Sequence, residues 1–200
     1  MLVIGLASAL VFGLPLGVAL FIWQRKEISY HPKLYFAVSG IINLIRSFPF
    51  IILLISLVPL TRLIVGSTIG PVAASVPLAI SAIPYFARLV EQSLKDIPKG
   101  IIEVSLSMGA NTWQTVAKIL LVEARSSLVL AFTTMTVSFI SYTAVAGVVG
   151  GGGIGDLAIR YGYYRFQTDV MVAMVILLVV LVQTVQSLGL YVSRRIDHRL

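Results

Sequence analysis

The chain has 200 residues, 58% of them hydrophobic and only 12% charged, with 15 Lys and Arg against 8 Asp and Glu and no Cys. A mean hydropathy of +0.98, with charge well below the roughly 25% of a soluble domain, reads as an integral membrane protein of one domain (residues 1–200) with several spans. The missing Cys excludes disulfides, thiol nucleophiles and zinc–thiolate sites. The net charge of +7 is read as basic loops held in the cytoplasm, not as nucleic-acid binding.

A helix needs about 20 apolar residues to cross the hydrocarbon core. Five stretches qualify: residues 2–23, 40–60, 67–89, 128–148 and 170–191. The first has no basic leader and no small-residue cleavage site after it, so it reads as a span and not as a signal peptide. Its abrupt start leaves open a native N-terminus that lies earlier. Pro15, Pro49, Pro59, Pro77 and Pro84 fall in or near spans, where neighbouring helices can satisfy the freed backbone groups. The connections are residues 24–33, 61–66, 91–125 and 149–169, with a tail from Val192; no internal repeat is visible.

Five spans put the termini on opposite sides. With the N-terminus outside, the cytoplasmic side holds Arg25, Lys26, Lys33, Arg88, Lys95, Lys99, Lys118, Arg125, Arg194, Arg195 and Arg199, and the outside holds only Arg62, Arg160 and Arg165. That asymmetry selects this orientation and makes the long polar loop, residues 91–125, cytoplasmic.

Within the loop, Pro98 suits a helix start, with Asp96 before it as a cap. Ile101, Val104 and Met108 make an apolar stripe widened by Ile102 and Leu106. Lys99, Glu103 and Ser107 make a polar one. Gly109 supplies a left-handed corner, and Asn111 with Gln114 has the spacing of a capping box for a second helix through Val116, Ile119 and Leu120. Such a projection either docks on a partner or lies in the membrane interface.

The loop resembles the EAA signature of permease subunits of ABC importers: Glu103-Val104-Ser105, then Gly109, Ile119, Leu121 and Val122. The Glu, Gly, Ile and Leu match in type and spacing, while both alanines and the proline are replaced. Over nearly its whole length the chain is similar to the methionine-importer permeases, through RSFPFIILL (residues 46–54), TRLIVGSTIG (61–70), the loop itself and GGGGIGDLAIRYGYYRF (150–166). The resemblance implies an all-α, five-span, multi-pass protein of the bacterial cytoplasmic (inner) membrane, N-terminus outside, which catalyses no bond chemistry. It implies a homodimer in the lipid bilayer, an ATPase dimer that binds ATP and Mg, and an extracytoplasmic binding lipoprotein that delivers D- or L-methionine. Glu103, Gly109, Ala110, Asn111, Thr112, Ile119 and Leu121 are then expected in an ATPase-coupling helix. Another amino acid or a small peptide as cargo stays open, as does a secondary carrier. The latter is disfavoured by the lack of a carboxylate in mid-span and of repeats.

Further candidates carry two readings each. Arg46 marks a translocation path or dimer interface, or it snorkels from a helix end near the cytoplasm. Thr133, Thr136, Ser141 and Tyr142, with other hydroxyls of the fourth span, line a path or bond back to helices; Met135 and Phe139 would supply apolar path surface. Gly150, Gly152 and Gly155 make an outer gate, a docking site or a plain turn, and no Lys-Ser or Lys-Thr follows to make a phosphate loop. Tyr163 and its neighbours form an interfacial aromatic belt or a docking surface. His31 and His198 read as isolated loop residues, and no metal site is expected.

Overall fold

The computed structural model describes residues 1–197; His198 and Arg199, assigned above to the cytoplasmic tail, lie outside the described residues. Helix α1 covers Leu2–Gln24 with a π turn at Ala9–Gly13. The turn lies just before Pro15, whose ring lacks the N–H of the helical ladder and crowds the carbonyl four residues back. Small residues at every fourth position let α1 approach its neighbour closely. A Cβ added at Gly17 would stand 2.5 Å from the Ala87 carbonyl oxygen, and one at Gly13 would stand 2.8 Å from that of Ile83.

The expected second span, residues 40–60, is not one helix. Helix α2 (Pro32–Ser47) ends and α3 (Phe50–Ser56) leaves it at 101°, followed by α4 (Val58–Val65), which occupies the segment expected as a loop at 61–66. The break has a local cause: Phe48 precedes Pro49, so helical backbone is sterically disfavoured there, and Phe48 is extended at φ −76°, ψ 130°. Helix α2 begins well before the expected span at 40, within the connection expected at 24–33, because Pro32 can start a helix without an N–H.

Helix α5 (Pro71–Lys95) is the central element and continues through Pro77 and Pro84. It packs against α1, α2 and the later helix α8 (Arg125–Val148). Half of its apolar stretch is buried within the chain, against none of that of α10 (Thr168–Ile196). Between α5 and α8 the loop folds as α6 (Lys99–Ser107) and α7 (residues 112–123), and α9 (residues 154–163) precedes α10. Among the described residues four helices are long and apolar enough to cross a membrane, or five spans if the bent α2–α3 pair is counted as one.

One apolar cluster runs from Phe21, Leu78, Phe86 and Phe139 between the long helices into Ile97, Ile102, Val116 and Leu120 of the projection. The projection is therefore rooted in the core and not tethered to it. Outside the bilayer each such buried side chain contributes about 1.5–3 kcal/mol.

Candidate functional site

The corner of the projection forms as its residues dictate. Gly109 sits at φ +80°, a region a Cβ disfavours, and its N–H donates to the Leu106 carbonyl at 2.9 Å. Asn111 Oδ1 accepts from the Gln114 backbone N–H at 2.8 Å, while Gln114 Oε1 accepts from the Asn111 N–H at 3.0 Å. Asp96 is not the cap of α6; Pro98 holds the N-cap position without a side-chain bond. A π turn over Thr115–Leu120 brings the Thr115 hydroxyl to 2.9 Å from that of Ser105, both fully buried. Ser105 stands where the signature has its second alanine, so the replacement adds a hydrogen bond that pins α6 to α7.

The faces of α6 differ from the expected stripes. Ile102 and Ser105 face inward, while Val104 and Met108 of the expected apolar stripe are exposed together with Glu103 of the polar one. The stripe is shifted because the Ser105–Thr115 pair and Ile102 set the rotation of the helix. The exposed tip combines Glu103, Gly109, Asn111 and Thr112 with two large apolar side chains, Met108 (82% exposed) and Trp113 (76%); Ala110, Ile119 and Leu121 are half-buried behind it. Neither Trp113 nor Met108 was singled out as a tip residue from sequence. The signal available was a Trp just past a capping Asn, at the polar start of a helix whose later Thr115, Val116 and Leu120 are buried.

Beneath the projection lies an ionic cluster that sequence reasoning missed. Glu91, expected at the start of an exposed loop, is 1% exposed on α5. Its carboxylate accepts from Arg88 Nη1 at 2.5 Å, Lys95 Nζ at 2.6 Å, Gln24 Nε2 at 2.7 Å and, at 3.4 Å, the Tyr35 hydroxyl. Arg88 in turn donates to Asn43 Oδ1 at 2.9 Å and to the Ser39 hydroxyl. One carboxylate thus ties α1, α2 and α5 one turn before α5 ends. The spacing Arg88, Glu91, Lys95 is one helix face, legible only once α5 is known to extend past residue 89.

The candidates for a path through the membrane fall into two places. Arg46 and Tyr142 line one cavity of about 100 Å³ with Ser81, Tyr85, Phe48 and Phe50. The Arg46 guanidinium lies 5.7 Å from the Tyr85 ring centre, and the Phe50 and Tyr142 rings stack at 4.6 Å. Thr133 and Thr136 instead border an apolar cavity of about 470 Å³ between α1, α5, α8 and α10. Their hydroxyls donate to the carbonyls of Val129 and Phe132, each at 2.8 Å. Ser141 is exposed and shares neither cavity. Met135 and Phe139 are core residues, 0% and 1% exposed, not free path surface.

At the far end of α8, Gly150, Gly152 and Gly153 all have positive φ, and the Gly70 N–H donates to the Gly150 carbonyl at 3.0 Å. Gly155 lies against Ala144 with no room for a side chain. Asp156 and Arg160 pair at 2.8 Å, and Tyr163, Tyr164 and Phe166 stand exposed beside them. Among the described residues no group of His, Asp and Glu is assembled for a metal ion.

Four to five apolar crossings, a two-helix projection with the EAA spacing and no nucleotide-binding motif define the membrane component of a multi-subunit transporter. The chain belongs to the binding-protein-dependent transport system inner membrane components, whose pattern matches residues 9–198. It is 44% identical over 199 residues, all but the whole chain and 88% of the relative, to a protein of Vibrio cholerae named as a probable D-methionine transport system permease protein, MetI. It is 47% identical over 191 residues, 96% of the chain and 88% of the relative, to the protein of that name from Pasteurella multocida. Among solved structures it superimposes with a TM-score of 0.96 and 43% identity, over 99% of this chain and 92% of the other, on a chain of the MetNI methionine ABC transporter in an inward-facing conformation. A chain of an amino acid ABC transporter shares the fold at a TM-score of 0.75 and 18% identity, over 97% and 89% of the two chains.

Proposed function

We propose that this chain is the permease subunit of an ATP-driven methionine importer of the inner membrane. Two copies work with a pair of ATPase subunits, and an extracytoplasmic binding lipoprotein delivers the cargo. The observation that carries the reading is the end-to-end likeness to the methionine permeases, which leaves no segment of the fold unaccounted for. The chain hydrolyses nothing; ATP and Mg belong to the partner ATPase.

The tip of the projection is the ATPase contact. Its apolar knob of Met108 and Trp113 has the composition of an interface anchor, and Glu103 adds a polar contact beside it. Closure of the ATPases pushes α6 and α7, and because these are rooted in the same core as α5 and α8, the push moves the long helices as a body. ATP drives the change only through differential interaction with the two states of the permease. The glycine turn at residues 150–153 and the Tyr163 group form the outer gate or the surface that meets the binding protein.

Co-expression with the cognate ATPase tests the contact. The ATPase should co-purify with the wild-type chain and be lost from Trp113→Ala with Met108→Ala, while both chains reach the membrane. Retention of the ATPase by the double variant would contradict the assignment of the tip.

A further inference from the structure

Helix α10 packs on α8 and α9 and leaves a gap toward α1 and α5. That gap is the apolar cavity of about 470 Å³, roughly three times the ~150 Å³ hole that holds a benzene ring. On α8 its lining runs from Leu128 to Thr136, and on α10 from Val185 to Val192. Leu14, Leu10 and Leu6 of α1 carry it on toward the outer side. The hydroxyls of Thr133 and Thr136 already donate to carbonyls of their own helix, so the wall calls for no polar guest. Leu10, Leu188 and Val192 are exposed, which opens the cavity sideways to the bilayer.

The cytoplasmic end of this slot is basic. Leu128 and Val129 stand one turn beyond Arg125, hence on its face of α8, and the Arg125 side chain leans back toward the cytoplasmic start of the helix. Among the described residues Arg125 Nη2 is buried without a hydrogen-bond partner, and a buried donor of that kind calls for an acceptor. The Ser126 and Ser193 hydroxyls join α8 to α10 at 2.8 Å beside it, and Arg194 and Arg195 close the last turn of α10. Glu123 and Asp197, the carboxylates of this end, are engaged in contacts of their own. An apolar slot thus ends, one helical turn inside the start of α8, at a guanidinium short of an acceptor.

We infer that this is a lipid site. An anionic phospholipid of the cytoplasmic leaflet lays an acyl chain in the cavity between α1, α8 and α10 and sets its phosphate against Arg125, with Arg194 and Arg195 adding charge. The acyl chain supplies the contacts that α10 lacks with α1 and α5. Phosphate oxygens match the planar fork of a guanidinium, and basic pockets at the cytoplasmic ends of membrane helices select anionic headgroups. The eight residues from Leu128 to Thr136 rise about 12 Å, close to the ~15 Å half-thickness of the hydrocarbon core, so the α8 wall has the depth of one leaflet. The inference does not depend on the identity of the cargo.

The test uses the full chain purified in mild detergent with its co-purifying subunits, stripped of lipid and titrated with dioleoyl phosphatidylglycerol or dioleoyl phosphatidylcholine. Native mass spectrometry reads the bound lipid. Phosphatidylglycerol should bind about tenfold or more tighter than phosphatidylcholine, the scale of one charge-assisted hydrogen bond. Arg125→Gln should abolish that preference, Arg125→Lys should keep part of it, and Arg62→Gln, outside the site, all of it. Val192→Trp puts bulk at the exposed mouth of the cavity and should weaken both lipids. Equal affinity for the two lipids, or a preference unchanged in Arg125→Gln, overturns the site, as does full binding by Val192→Trp. Displacement of phosphatidylglycerol by inorganic phosphate at equal concentration would show a bare anion site with no seated chain, and the lipid site falls. Arg125→Lys keeps the charge and Val192→Trp alters an exposed position, so these two decide the matter if Arg125→Gln does not assemble.

Discussion

Replacing Glu91 by Ala removes the one carboxylate that faces Arg88, Lys95 and Gln24. Arg88 is only 12% exposed, so its charge would be left buried, and breaking a buried pair from one side costs about 3–5 kcal/mol. Asn43 and Ser39 keep two of the Arg88 donors satisfied, which places the expected loss at the lower end, about 3 kcal/mol. Lys95, 42% exposed, turns to water and adds little. Glu91→Gln keeps an acceptor and should cost less, about 1–3 kcal/mol. Unfolding of the purified protein in mixed micelles, monitored by helix signal against SDS, reads the difference. Arg88→Met with Glu91→Ala should be less destabilised than the sum of the two single variants, because the orphaned charge is gone. Additive losses, or Glu91→Ala within about 0.5 kcal/mol of wild type, the range of an ordinary surface change, would refute the cluster as a clamp.

Three further outcomes follow from the same geometry. Gly109→Val forces a branched side chain into the left-handed region at a cost of about 1–2 kcal/mol, and ATPase co-purification should fall while membrane insertion persists. Asn111→Ala removes a cap and should cost about 1 kcal/mol, visible as faster proteolysis of the loop in membranes. Gly17→Leu inserts bulk where a single Cβ already meets the Ala87 carbonyl at 2.5 Å, and overpacking of about 1–3 kcal/mol should lower the SDS midpoint, whereas Gly40→Leu, with open space around it, should not.

Sequence reading recovered what hydropathy and local turn chemistry encode. The runs giving α1, α5, α8 and α10 are long enough to declare themselves, and Gly109, Asn111 and Gln114 act through bonds within a few residues. What it missed depends on contacts distant in sequence. The bend at Pro49 was hidden because the apolar run continues through Phe50–Ser56 without a polar mark. The rotation of α6, which exposes Val104 and Met108, is set by Thr115 ten residues later. Glu91 reads as a loop residue until Gln24 and Tyr35 from α1 and α2 are brought to it. Thr133 and Thr136 share residue type with a path lining, yet only the fold shows their hydroxyls turned back to their own helix.

The central claim is that this chain carries methionine inward when ATPases push its α6–α7 projection. Uptake of radiolabelled methionine into liposomes holding the permease, its ATPase and its binding lipoprotein tests that most directly. The account predicts accumulation that requires ATP and the lipoprotein, is unaffected by collapse of ion gradients, and is lost with Trp113→Ala and Met108→Ala in the tip. Uptake driven by an ion gradient without ATP, or ATP-driven uptake undiminished in that tip variant, would contradict it.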